Sequence, residues 1–201
     1  MKFKKIKTIL FVFYLINFTT AQAYSTNPKD FIQELVSDAI SNLTDKSIQP
    51  DEKVKFIENL ATNNVDIKAL GLYTLGELRN STDEQKLEKY QSVFEKYFLK
   101  TLTSRLSEYT SSNFEVFNSD QKSSNYTIVN SKVKPTSGDP EIKIDWRVYT
   151  KNPDKPLIRD LIVEGLSLAR TQKEEFASIL NSNDGDINSL FITLDEFSKS
   201  N

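Results

Sequence analysis

The sequence predicts an α+β protein: an antiparallel sheet of about four strands with a helical lobe before it and two helices after it. Three observations carry this. Apolar residues recur at three- and four-residue spacing from about 28 to 109. The period changes to two from about 114 to 168. Helical spacing then returns from about 171 to 198. Runs of helices followed by runs of strands favour segregated layers over an alternating parallel sheet.

Residues 1–23 stand apart from this pattern. Lys2, Lys4, Lys5 and Lys7 form a positive segment, Thr8 to Phe18 is apolar almost throughout, and Ala21-Gln22-Ala23 has the small-x-small form that signal peptidase reads. We expect a signal peptide cleaved after Ala23 and a mature chain beginning at Tyr24. The apolar run is too short to span a bilayer about 30 Å thick. The mature chain, 24–201, suits a single domain. Without the four lysines of the leader, the net charge of −2 becomes −6. An acidic chain with no basic cluster is a poor nucleic-acid binder. We expect a soluble monomer that does not adsorb strongly to anionic membranes and reaches membranes by docking to protein partners.

The elements follow in order. Asn27-Pro28 is a helix start, with Asn as cap and Pro at the first position, and Phe31, Leu35, Ala39, Ile40 and Leu43 mark a helix over about 28–44. Pro50-Asp51-Glu52 opens a second, with acids where the helix dipole favours them and Val54, Ile57, Leu60 and Ala61 as its apolar side. Residues 65–78 read as two short helices around Gly71. Ser81 and Glu84 form a capping box that opens a long helix over about 82–109. That helix carries a wide stripe of Leu87, Tyr90, Phe94, Tyr97, Phe98, Leu102, Leu106 and Tyr109, wide enough to face two neighbours or a neighbour and a cavity.

Short strands are expected over 114–117 and 126–134, with a turn at Ser137-Gly138-Asp139-Pro140. The cleanest alternation follows: Ile142, Ile144, Trp146 and Val148 against Lys143, Asp145, Arg147 and Tyr149. Leu157 to Leu168 is the last strand, bent at Gly165. Thr171 to Leu180 and a segment with Ile187, Leu190, Leu194 and Phe197 are the closing helices.

Much catalytic chemistry is excluded by composition. The chain has neither His nor Cys, so Ser-His-Asp and Cys-His arrangements and disulfides cannot be built, and most zinc and transition-metal sites are excluded. Gly71-x-x-x-x-Gly76 is followed by Glu77-Leu78 where a phosphate loop needs Lys-Ser/Thr, so we read it as a helix crossing relieved by glycine. Asp145, Asp160 and Glu164 could in principle form a carboxylate pair, but Arg147 and Arg159 are at hand as ion-pair partners. Asn181 to Asp186 is rich in oxygen ligands without the spacing of a calcium loop, and reads as a turn. No enzyme activity and no cofactor or metal are expected.

Three stretches carry a likeness to a known family. They are Leu70-Gly71-Leu72-Tyr73-Thr74-Leu75-Gly76 with the following Ser81-Thr82-Asp83-Glu84-Gln85; Phe94-x-x-Tyr97 with Leu102, Leu106 and Tyr109; and Asp160-x-x-Val163-Glu164-Gly165-Leu166-Ser167-Leu168 with Gln172, Phe176 and the Gly185-to-Leu190 tail. In order and spacing they resemble the MlaC family, also called the toluene-tolerance auxiliary family, of periplasmic phospholipid-binding proteins of the Mla lipid-transport pathway. The likeness spans about 28–197; Leu102 stands where an aromatic is expected.

The resemblance implies an NTF2-like or cystatin-like sheet, a helical lobe, and a lipid cavity between them. It implies a phospholipid ligand and two partners: an outer-membrane lipoprotein/porin complex, and an inner-membrane ABC transporter complex with an MCE-type subunit. Moving an acyl tail of about sixteen carbons into water costs about 12 kcal/mol, so a carrier must offer a dry cavity. We expect Phe94, Tyr97, Phe98 and Leu102 of the long helix and Ile144, Trp146, Val148, Ile162 and Leu166 of the sheet to line it, with Leu72 and Leu75 completing a wall. The opposite face of the last strand, Leu161 and Val163, is equally compatible with the alternation. A secreted NTF2-like interaction module with a filled core is the competing reading.

Overall fold

The computed structural model describes residues 24–106, 112–135 and 140–200. The leader, Tyr109 and the turn residues Ser137, Gly138 and Asp139 lie outside them.

Six α-helices and five strands are present among the described residues: α1 Pro28–Thr44, α2 Pro50–Asn64, α3 Ile67–Thr74, a 3₁₀ turn Gly76–Asn80, α4 Glu84–Leu106, β1 Ser112–Ser123, β2 Tyr126–Pro135, β3 Ile142–Tyr149, β4 Leu157–Val163, β5 Leu166–Ser167, α5 Leu168–Asn181 and α6 Ile187–Lys199. The sheet is an antiparallel meander in chain order. The fold is α+β.

The helix starts obey local chemistry. Asn27 Oδ1 accepts from the N–H groups of Lys29 and Asp30, and Pro28 follows at the first position, where no amide is needed. α4 starts differently from the expected capping box: Asp83, not Ser81, is the cap, accepting from the Lys86 amide at 2.9 Å. Ser81 instead donates to the Leu78 carbonyl, closing the 3₁₀ turn. The break in the 67–80 segment falls at Gly76, with φ +62, and not at Gly71. Gly71 is a close-packing residue: a Cβ there would meet Phe94 Cδ1 at 2.8 Å.

Two strand expectations need correction. β1 runs on to Ser123, because Asn118–Ser123 pairs with β2 although its side chains are polar. The last strand is not bent at Gly165 but reversed. Glu164 (φ 49) and Gly165 (φ 83) are both left-handed, the geometry of a two-residue hairpin turn, so the chain doubles back into the short β5. Leu168 therefore opens α5 instead of closing a strand, three residues before the expected start.

The buried apolar residues fall into two clusters. One lies among the helices: Tyr90 and Phe94 of α4, Phe176 and Leu180 of α5, and Leu190, Phe191 and Leu194 of α6. The other joins Phe31, Ile32 and Leu35 of α1 to Val116, Val129, Val148 and Ile158 of the sheet. Val65 packs against both. Beside it, Val65 bridges Ile158, the Asp66 amide donates to the Ile158 carbonyl at 2.9 Å, and Arg159 pairs with Asp66 at 2.7 Å.

Candidate functional site: an apolar cleft between two cores

Between the two clusters lies a cleft of about 440 Å³. Its helical wall is α4, through Phe94, Tyr97, Phe98 and Leu102. Its floor is the sheet, through Phe114, Val133, Ile144, Trp146, Ile158 and Leu161. The third wall comes from α1 and α2, through Leu35, Val36, Ala39, Ile40, Leu43, Ile57, Leu60 and Ala61. The volume lies within the roughly 300–1,000 Å³ usual for small-molecule sites, and the lining is mostly aliphatic and aromatic, as such sites are.

A second hollow, of about 690 Å³, borders the first half of α4, but Asp66, Lys68, Glu84, Glu88, Glu95 and Lys155 line it. Those charged groups keep it wet and make it a poor site for an apolar ligand.

Six of the eleven residues expected at a cavity line the apolar cleft: Phe94, Tyr97, Phe98, Leu102, Ile144 and Trp146. The other five lie elsewhere. Leu72 lines the charged hollow. Leu75 is buried in the helical cluster and Val148 in the sheet cluster. Ile162 pairs with Asp145, and so falls on the strand face opposite to Leu161, which pairs with Trp146. Leu166 lies past the hairpin turn and is 70% exposed. The register shift between Arg147 and Val148 is responsible for part of this: two β4 residues, Arg159 and Asp160, occupy the space opposite Arg147, which lets both Ile158 and Leu161 face the cleft. The wall from α1 and α2 escaped the sequence reading. Its signal was the apolar stripe of those helices, which periodicity reads as core.

Polar groups fix the floor. The Trp146 indole N–H donates to Ser131 Oγ at 2.8 Å, and Ser131 Oγ donates to the Ile144 carbonyl at 2.9 Å. The Tyr97 hydroxyl donates to Gln172 Oε1 at 2.9 Å, and burial raises its pKa. Deeper in the helical lobe, Thr74 Oγ1 donates to the Gly71 carbonyl, so its proton is used and Tyr90 is the donor in their 2.9 Å hydrogen bond.

The carboxylates considered for catalysis each have structural partners. Asp160, with a side chain 1% exposed, accepts from the Ala169 amide and the Ser167 hydroxyl and pairs with Arg147 at 3.3 Å. It thereby fixes the start of α5 to the sheet. Asp145 accepts from Asn130 Nδ2, and Glu164 from the Lys143 amide. The Asn181–Asp186 segment is a turn in which the Gly185 amide donates to the Leu180 carbonyl and Asp186 caps α6. No group of three or more acidic residues among the described residues could hold a metal ion. No described helix is long and apolar enough to cross a membrane.

Comparison with known proteins decides the family. The family model of the MlaC protein matches residues 30–196. The chain belongs to the MlaC family. Among solved structures, a phospholipid-binding protein from Ralstonia solanacearum in complex with a phospholipid is similar in fold, with a TM-score of 0.68 and 19% identity over 89% of this chain and 97% of that one. No curated protein matches.

Proposed function

We propose that this MlaC-family chain is a periplasmic phospholipid carrier, exported by a signal peptide cleaved after Ala23. Residues 24–201 act as one lipid-binding domain. Acyl chains lie in the cleft between the helical lobe and the sheet, against Phe94, Tyr97, Phe98, Leu102, Ile144, Trp146 and Leu161, while the headgroup stays wet. The protein passes lipid between an outer-membrane lipoprotein/porin complex and an inner-membrane ABC transporter complex with an MCE-type subunit. No covalent step or cofactor is required.

The observation that carries this reading is the cleft itself. Two separate apolar clusters face each other across about 440 Å³, whereas a filled interaction module would join them into one core. Apolar surface of that kind is costly to expose to water, and an acyl chain covers it. The bound phospholipid in the Ralstonia protein of similar fold supports the same reading. Native mass spectrometry on the chain from Tyr24 tests it. A bound mass that releases phospholipid fragments is expected. A bare protein mass, both after periplasmic export and after incubation with vesicles, would overturn it.

A further inference from the structure

At the mouth of the cleft, one side carries charge. Arg105, in the last turn of α4, and Glu175, in α5, both line the cleft and both are exposed. Neither has an ion-pair partner among the described residues, and they do not pair with each other. Glu175 is nonetheless held in place: Gln172 Nε2 donates to its carboxylate at 2.8 Å, and Gln172 Oε1 accepts from Tyr97. Burial is the main cause of the raised Tyr97 pKa; of the two charges near its hydroxyl, Glu175 raises it and Arg105 lowers it. The remaining charged lining residues are committed, Arg159 to Asp66 and Asp160 to Arg147. An apolar cleft thus opens past one cation and one anion that have no ion-pair partner among the described residues, with the Tyr97 hydroxyl within reach of both charges.

That arrangement is complementary to a molecule with an apolar body, a phosphate and an ammonium. We infer that the mouth selects zwitterionic headgroups: Arg105 takes a phosphodiester oxygen, and Glu175, positioned by Gln172 and Tyr97, takes the headgroup ammonium. An anionic phosphoglycerol headgroup would satisfy Arg105 and leave Glu175 facing a hydroxyl without positive charge. The inference rests on the carrier reading. Because both groups are exposed, the discrimination is modest, about two- to fivefold, as an exposed charge pair supports.

The test loads the mature chain from vesicles of equal phosphatidylethanolamine and phosphatidylglycerol with matched acyl chains, re-purifies it, and weighs the extracted lipid by mass spectrometry. Phosphatidylethanolamine is expected to be enriched about two- to fivefold over the vesicle ratio. Glu175→Lys should reverse the enrichment, and Glu175→Gln should erase it. Lipid bound at the vesicle ratio would overturn the headgroup inference and leave the carrier reading standing. So would a folded Glu175→Lys chain whose ratio does not move, or one that loads nothing. A wild-type chain that takes up no lipid would overturn both.

Discussion

The two halves of α4 carry one continuous aromatic stripe and meet opposite surroundings. In the first half, Tyr90 is 0% exposed and sealed within the helical cluster, and Phe94, 1% exposed, packs against Phe176 and meets the cleft at the boundary between the halves. In the second half, Phe98 and Leu102 are only half-buried and border the cleft. The same spacing of the same residue types produces a filled core in one place and an open wall in the other. Periodicity says which way a side chain points. Whether anything is there to meet it depends on elements distant in sequence: α5 and α6 close over the first half, while α1 and the sheet stand off from the second.

The sharpest way to test this contrast is to truncate one residue on each side of it. Phe176→Ala, in the sealed core, should cost about 3–5 kcal/mol. Leu102→Ala, on the open wall, should cost only about 1 kcal/mol in lipid-free protein, since its side chain is only partly buried. Parallel denaturant melts measure both, and equal losses would show that the cleft wall is packed as tightly as the core. The double variant Leu102→Trp with Ile144→Trp should keep the fold and lose lipid loading. Retained lipid in a well-folded double variant would remove these residues from the site.

The join between the lobes gives the next effect. Asp160→Ala would leave the Ala169 amide without its buried acceptor and Arg147 without its ion pair, and should cost about 2 kcal/mol by denaturant melt. Smaller still, Tyr90→Phe removes one buried donor, and because the Thr74 hydroxyl keeps its bond to Gly71, about 1 kcal/mol is expected.

Alkaline titration compares the lobes from another side. Tyr24 packs on Phe31 of the sheet cluster and donates to Asp38 at 2.9 Å; burial, then that hydrogen bond, raise its pKa to about 12. Tyr90 and Tyr97, in the helical lobe and at the cleft, are also raised by burial. A folded-state pKa above the unfolded value of about 10 means that the stability contribution is complete below pH 10 and is lost as pH rises towards about 12. Tyr24→Phe should flatten that decline in a pH series of thermal melts.

Much of the fold was legible because it rests on short-range signals. Asn27-Pro28 fixes α1 to the residue, and the alternation from Ile142 to Tyr149 fixes β3. The misreadings share one physical origin. Glu164 in the left-handed region has no sequence signature of its own, so the hairpin at Glu164-Gly165 reads as a kink. The polar half of β1 is an edge segment, and its order comes from pairing with β2, not from its side chains. Ser81 and Asp83 are both good caps, and only the closing geometry of the 3₁₀ turn chooses between them. At the cleft, α4 and β3 were legible for the same reason as the elements themselves. The face of β4 was not, because one irregularity opposite Arg147 moves every later side chain to the other face.

Trp146 is the single tryptophan of the chain, and it sits in the cleft floor with its indole N–H held by Ser131 and its ring edge-on to Phe114 at 6.2 Å. The ring is therefore anchored on one side and borders the ligand space on the other. Its emission reports the polarity of that space without any added dye. Filling the cleft with hydrocarbon should shift the emission to shorter wavelength, and emptying it should shift it back. The rate at which lipid enters and leaves can thus be followed in real time on the unmodified protein.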